Sequence, residues 1–433
     1  MLLDCGLFQG LKPLRLRNWS KPAFAPEEID GVLLTHAHID HSGYLPLLAR
    51  RGFRKPIWCT PATADLLRVM LLDAAHLQEE EAEVANRYGY SKHHPALPLY
   101  LTEDAETALG LVRTIRHGER FTVGPGLVAT FHRVGHILGA AAVEVEIDDG
   151  TRLVYSGDLG RWNQPILRDP ELVPDADVLL VESTYGDRTH GVEPEKALAR
   201  VVRDAAARGG ALIIPAFAVG RTQELIWRLR QLEDAGQIPS LPVFVDSPMA
   251  IDVTDIYCRH PEEHDLEMRD LMDRERCPLC CRKSHLVRSV AESKALNDRR
   301  GPMIVIAGSG MATGGRVIHH LKVRLPDRRT TVLLAGYQAA GTRGRSLQQG
   351  AATIRIHGQD VPVRAQVETI DGLSAHADRN DILRWLGGFR REPRQTWVVH
   401  GEPGPASALA ETIRKRLRWT VGVAADGETV PLR

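Results

Sequence analysis

No stretch of the sequence reaches the roughly 20 consecutive apolar residues that a bilayer-spanning helix needs, so no membrane partner is expected. The amino terminus, Met1 to Gly6, lacks the charged region and long apolar core of a secretory leader, and nothing in it directs export. Cysteine is scarce. Six residues, at positions 5, 59, 258, 277, 280 and 281 of 433, are too few and too scattered for a disulfide scaffold, which points to a reducing compartment and a cytoplasmic location. Net charge is absent as well: 55 basic residues balance 55 acidic ones, so composition alone carries no nucleic-acid footprint. Any such footprint has to be local. Between Thr313 and Arg345 lie Arg316, Lys322, Arg324, Arg328, Arg329, Arg343 and Arg345 against the single acid Asp327, a pattern that fits a basic wall or a solvated helix face.

What the sequence does have is length and apolar content, 43% hydrophobic and 25% charged over 433 residues, enough for two domains or for one domain with a large insertion. Short β-like runs alternate with helical ones in the first half: 29–35, 56–59, a long helix over 61–87, then 128–132, 141–147, 152–156 and 178–182. From Glu193 the character changes to helix 193–208, strand 211–215, helix 221–235, strand 242–246, strand 303–307, helix 315–325 and strand 331–334. That alternation reads as a second, Rossmann-like α/β unit lying between two parts of the first domain. The boundaries expected are 1–186, an insertion over 187–350, and a returning part over 351–433. No internal repeat or low-complexity tract interrupts them.

The most informative stretch is His36-Ala37-His38-Ile39-Asp40-His41, four potential metal ligands in six residues at a strand-to-helix turn. Imidazole and carboxylate together suit a borderline cation such as zinc, and two ligand pairs so close suggest two adjacent metals. In an open α/β sheet the residues leaving the carboxyl end of a strand face the crevice where ligands bind. Three further positions complete a two-metal site: His136 in a glycine-flanked loop, Asp158 after the strand 152–156, and His400 after the strand 397–399. The expected arrangement has His36, His38 and His136 on one zinc, Asp40, His41 and His400 on the other, and Asp158 bridging them. A water shared by both ions would become a bridging hydroxide nucleophile.

Asp4 is expected to hold a ligand histidine by hydrogen bonding. Glu182 and His376 remain as non-ligand candidates, His376 as an acid polarised by the Glu182 carboxylate. The glycine-rich segment Gly308 to Arg316, between strand and helix, could cradle a phosphate, with Arg316 adding a contact, although an ordinary tight turn explains it about as well. Cys277, Cys280 and Cys281 have the spacing of half a zinc knuckle but lack a convincing partner pair, so a reduced surface loop is the expectation.

The His-x-His-x-Asp-His run with His136 and Asp158 resembles the metallo-β-lactamase fold. Val181 to Gly186, Ser374 to Asp378 and Val399 to Pro403 are similar to the motifs of its beta-CASP branch, nucleic-acid nucleases that include bacterial RNA-processing enzymes and the messenger-RNA 3′-end cleavage nuclease. Gly308 to Arg316 and Gly336 to Arg345 resemble stretches of the domain inserted in that branch. The resemblance implies a four-layer αββα sandwich whose inserted domain covers the metal cleft so that a single strand threads between them. It also implies catalytic roles for Asp40, His376 and Glu182, and phosphate contacts from Ser309, Gly310 and Ser374. A histidine at the position of His400 goes with RNA-acting members, which favours single-stranded RNA as partner. A homodimer is compatible with the sequence. Family members begin with further strands ahead of the Asp4 motif, so the leading strands of the sheet are expected to be missing here. The reading is a two-zinc ribonuclease; a small ester or thioester hydrolase and a silent RNA-binding subunit are the alternatives.

Overall fold

The computed structural model describes residues 1–89, 91–191, 193–274 and 278–432. The chain divides into two compact units, one formed by Met1–Gln164, Arg168–Thr189 and His376–Arg433, the other by Pro165–Leu167 and His190–Ala375.

The first unit opens with β1 (Leu2–Leu3), β2 (Val32–Leu33), β3 (Ile57–Cys59) and β4 (Val112–Thr114), four parallel strands in that order. It continues with β5 (Arg120–Gly124), β6 (Leu127–Arg133), β7 (Ala141–Ile147), β8 (Arg152–Tyr155) and β9 (Val178–Val181). The second unit contributes β10 (Ala211–Pro215), β11 (Val243–Asp246), β12 (Ser284–Leu286), β13 (Met303–Ala307), β14 (Thr331–Leu334), β15 (Thr353–Ile356), β16 (Gln359–Pro362) and β17 (Gln366–Thr369), and the chain returns to the first as β18 (Gln395–Val398) and β19 (Val421–Val423).

In the first unit a seven-stranded mixed sheet runs β19-β18-β9-β8-β7-β6-β5. Its inner face meets the four-stranded sheet through a shared core of Leu33, Phe131, Ala141, Val143 and Val145, with Trp58 and Phe121 packed against it. Full burial of such a side chain stabilises by about 1.5–3 kcal/mol. Helices cover the outer faces. Pro61–Tyr88 packs against Thr102–Gly110 and β4, and Pro403–Arg416 against β18 and β19, which completes the expected αββα layering. The long helix starts where Thr60 accepts the Thr63 N–H ahead of Pro61, and it stops at Gly89 in the left-handed conformation. β1 is an outer strand of its sheet, and its pairing with β2 sets Asp4 beside the end of β2.

The second unit is built on six parallel strands, β12-β11-β13-β10-β14-β17. β10 and β13 are buried at every position, as expected of parallel strands covered on both faces. Their period-2 side chains divide between two cores: Leu212, Ile214, Ile304 and Ile306 face one, Ala211, Ile213, Met303 and Val305 the other. By packing, the second unit runs on to Ala375. β17 pairs in parallel with β14, and the β15–β16 hairpin sends Ile354, Ile356 and Val361 into the second of these cores, so 351–375 packs with the second unit.

Candidate metal centre

β8, β9 and β18 run parallel, and β6 shares their direction through its antiparallel pairing to β7, so their carboxyl ends lie along one edge of the sheet. His136 lies three residues past β6, Asp158 three past β8, Glu182 immediately after β9 and His400 two past β18. From the other sheet β2 leads through Thr35 into His36 and His38, and the short helix Ile39–Ser42 carries Asp40 and His41. Two tight approaches hold these loops together. A Cβ on Gly6 would lie 1.6 Å from the Asp40 carbonyl oxygen, and one on Gly160 would lie 2.2 Å from the backbone carbon of Gly135, next to His136.

Four donor atoms converge in the first cluster. His38 Nδ1 lies 3.1 Å from His36 Nε2 and 3.2 Å from His136 Nε2, and Asp158 Oδ2 is 3.4 and 3.5 Å from the same two Nε2 atoms. The second cluster joins Asp40, His41 and His400. His41 Nε2 and His400 Nε2 sit 3.3 and 3.4 Å from the other Asp158 oxygen, Oδ1, and His400 Nε2 sits 3.9 Å from Asp40 Oδ2. Asp158 thus offers one oxygen to each cluster.

The hydrogen bonds behind these rings set which nitrogen faces inward. Asp4 Oδ1 accepts the Thr35 N–H at 2.7 Å, and Asp4 Oδ2 accepts the Thr35 hydroxyl at 2.8 Å and His41 Nδ1 at 2.6 Å. Because the Thr35 hydroxyl proton is given to Asp4, its oxygen accepts from His36 Nδ1 at 3.0 Å. Both rings therefore carry a proton on Nδ1 and present Nε2 to the cluster. His41 Nε2 and Asp158 Oδ1 are buried and face each other at 3.3 Å, two polar atoms that a cation between them would satisfy. The charge states of His36, His38, His136 and Asp158 suit a cation site. Burial, and then the neighbouring histidine charges, pushes His36 down, His38 down to about 3 and His136 well down, so all three are neutral imidazoles. Burial opposes ionisation of Asp158, but His41 and His400 outweigh it and hold the carboxyl well below its usual range. Burial likewise opposes a charge on His41, and the carboxylates of Asp158 and Asp4 override it and raise its pKa well above the ordinary value. Imidazoles with carboxylates in this arrangement are a donor set for zinc.

Beside Asp158 lies a third group. Glu182 is fully buried, its Oε1 accepting the Leu159 N–H at 2.6 Å and its Oε2 the Thr184 N–H at 3.3 Å. His376 Nδ1 stands 3.5 Å from Glu182 Oε2 and 3.8 Å from Asp158 Oδ2, fixed by a bridge between His376 and Gly160. Burial lowers the His376 pKa, but Glu182 and Asp158 overcome it and bring it up to about 9, so the ring is a proton donor at neutral pH.

The structure thus brings Asp4, His36, His38, Asp40, His41, His136, Asp158, Glu182, His376 and His400 together in one unit. Ser309, Gly310, Arg316 and Ser374 belong to the other unit. Ser309 Oγ accepts the Thr313 N–H at 3.1 Å at the head of the glycine-rich turn, and Gly310 packs so closely on Phe217 that a Cβ would lie 2.6 Å from its ring. Arg316 is committed inside the fold rather than presented to a phosphate: it donates to Asp246 Oδ1 at 2.7 Å and to the carbonyls of Val287 and Arg288. The basic wall is similarly reduced, because Arg329 pairs with Asp327, and Arg324 and Arg343 bind backbone carbonyls. Cys277 lies outside the described residues. Cys281 is a core residue, not part of a surface loop, and among the described residues no cluster of three metal-ligating groups contains a cysteine. The sequence reading overlooked Thr35, which carries the hold of Asp4 on to His36; its place directly before the ligand run was the available signal.

Comparison with known families places a Beta-lactamase superfamily domain at residues 1–210, a Beta-Casp domain at 222–347 and a Zn-dependent metallo-hydrolase RNA specificity domain at 360–424. The chain is 39% identical to Ribonuclease TTHA0252 of Thermus thermophilus over 434 aligned residues, covering 100% of this chain and 94% of that protein. It is 33% identical to Transcription termination factor FttA of Methanocaldococcus jannaschii, covering 96% of this chain and 65% of that one, and 32% identical to FttA of Pyrococcus abyssi, covering 94% and 62%. It therefore spans somewhat less than two thirds of these termination factors. With the inserted parallel-sheet unit and the histidine–aspartate clusters at the sheet edge, these matches show that the chain belongs to the beta-CASP family of metallo-β-lactamase-fold hydrolases.

Proposed function

We propose that this protein is a two-zinc ribonuclease that hydrolyses phosphodiester bonds of single-stranded RNA in the cytoplasm. The observation that carries the reading is Asp158, whose two oxygens each face a separate cluster of histidines. Zinc ions held there would supply a hydroxide nucleophile near neutral pH and neutralise charge building on the phosphate. In this reading His36, His38 and His136 hold one ion, Asp40, His41 and His400 the other. Asp4, through His41 directly and through Thr35 to His36, keeps the ring nitrogens aimed.

His376, held beside Glu182, delivers the proton to the leaving oxygen, which a ribose alkoxide requires and a thiolate or activated ester does not. Ser309, Gly310 and Ser374 are assigned to the phosphates of the bound strand. RNA as substrate is further supported by the relatives, one named a ribonuclease and others transcription termination factors. The test is cleavage of an end-labelled single-stranded RNA by the zinc-loaded protein, with Asp40→Ala and His376→Ala alongside. Cleavage by the intact chain and its loss in both variants is the expected result. A folded, zinc-loaded chain that leaves RNA intact while hydrolysing a small ester would replace this reading with that of an esterase, and one inert to both would make it a silent subunit.

A further inference from the structure

Six large apolar side chains between residues 8 and 24 stand exposed: Phe8, Leu11, Leu14, Leu16, Trp19 and Phe24, with Trp19 showing 54% of its surface. Single exposed apolar residues need no explanation, but six within one short segment do. The same segment holds Lys12, Arg15, Arg17 and Lys21 and not one acidic residue. Arg17 pairs with Asp426 and lies over the Phe8 ring at 4.2 Å. Lys12, Arg15 and Lys21 are exposed and make no ion pair among the described residues. The chain is neutral overall, which makes this a local concentration of positive charge interleaved with aromatic rings.

The segment is tied at its root to the candidate metal centre. Immediately before it, Cys5 N–H donates to the His41 carbonyl at 2.7 Å and Leu7 N–H to the Ile39 carbonyl at 3.0 Å, and Gly6 packs on the Asp40 carbonyl. At its first residue the backbone of Phe8 is clamped by buried Asn18, which accepts the Phe8 N–H and donates to the Phe8 carbonyl, both at 2.9 Å. Asn18, the neighbour of Trp19, is thereby tied to the segment whose backbone pairs with the turn carrying Asp40 and His41.

We propose that residues 8–24 form a docking surface for the single-stranded RNA substrate, with Lys12, Arg15 and Lys21 facing backbone phosphates and Trp19 stacking on a base. This rests on the ribonuclease reading. RNA is favoured over a protein or a second copy of the chain because three unpaired cations and no acid complement a polyanion, while aromatic rings among cations form the sequence-tolerant stacking platform that single strands use.

The test is steady-state cleavage of a labelled single-stranded oligoribonucleotide between about 50 and 200 mM salt, using the zinc-loaded wild type, the triple variant Lys12→Ala/Arg15→Ala/Lys21→Ala, and Trp19→Ala. All four side chains are exposed, and unchanged zinc content checks that the variants fold. Expected for Trp19→Ala is a KM raised about tenfold, the loss of one stacked base, with kcat held. For the triple variant the slope of log KM against log salt should flatten by about 2, since each single-strand phosphate contact contributes about 0.7. Turnover by the wild type with KM and salt slope unchanged in both variants overturns this inference and leaves the ribonuclease reading standing. No turnover by the wild type overturns that reading and this one with it. A wild-type dimer that becomes monomeric in Trp19→Ala with KM unchanged assigns the surface to self-association and also overturns it.

Discussion

Asp158 organises the candidate site because, among the described residues, it is the carboxylate that reaches both clusters, and Asp4 matters because a single side chain holds His41 directly and His36 through Thr35. Asp4→Asn keeps the shape but loses the charge that holds His41 Nδ1–H, so zinc affinity should fall about 10- to 100-fold, read by competition with a chromogenic chelator. His376→Gln should behave differently. Zinc content should be unchanged while kcat on RNA falls by about 10²- to 10⁴-fold, the usual contribution of a positioned acid. That these residues come together was legible in the sequence because histidine and aspartate at the ends of apolar runs have few structural uses. Thr35 was not legible, since a threonine at a strand end is ordinary until its hydroxyl is seen between Asp4 and His36. Arg316 was misread for the complementary reason: the residue that claims it, Asp246, is 70 positions away and reaches it only through folding.

At the scale of elements, the fully buried runs were read almost to the residue, as with β10, β13 and β14, because parallel strands covered on both faces leave continuous apolar signals. The hairpin β15–β16 was missed. Its strands are four residues long and bury only Ile354 and Ile356 of one and Val361 of the other, too short a pattern to separate from a loop. The end of β11 carries a structural charge network. Asp246 is fully buried and accepts from Ser293 Oγ and His320 Nε2, both at 2.6 Å, as well as from Arg316. Burial opposes its ionisation, but His320, Ser293 and Arg316 prevail and hold its pKa below the ordinary value. A depressed folded pKa means that its contribution is complete above the unfolded value of about 3.9 and is lost as pH falls through the folded one. Asp246→Asn should destabilise the inserted unit by about 3–5 kcal/mol in urea at pH 7, as expected when one partner of a buried pair is removed, and its stability deficit should shrink below about pH 4. In the first unit, Gly6→Ala should cost zinc as well as stability, because the added methyl has no room beside the Asp40 carbonyl; loss of stability with full zinc occupancy would show that the contact does not set the ligand turn.

On the whole-molecule scale, every group of candidate ligands found among the described residues lies in the unit formed by the two ends of the chain, although 186 of its residues precede the insertion and the rest follow it. Zinc should therefore stabilise that unit and not the inserted one. At a metal concentration about 100 times Kd the gain is about 2.7 kcal/mol per site, or roughly 5–10 °C for a unit of this size. Calorimetry with and without a chelator should show one transition moving by roughly 10–20 °C for two sites, and the shift should vanish in Asp158→Ala. The central claim, that zinc-activated water rather than the RNA itself attacks the phosphate, is tested most directly by cleaving single-stranded RNA in ¹⁸O-labelled water and weighing the products. Linear terminal phosphates carrying one solvent ¹⁸O at the cut are the expected products; a 2′,3′-cyclic phosphate without solvent oxygen would mean that the ribose 2′-hydroxyl attacks instead.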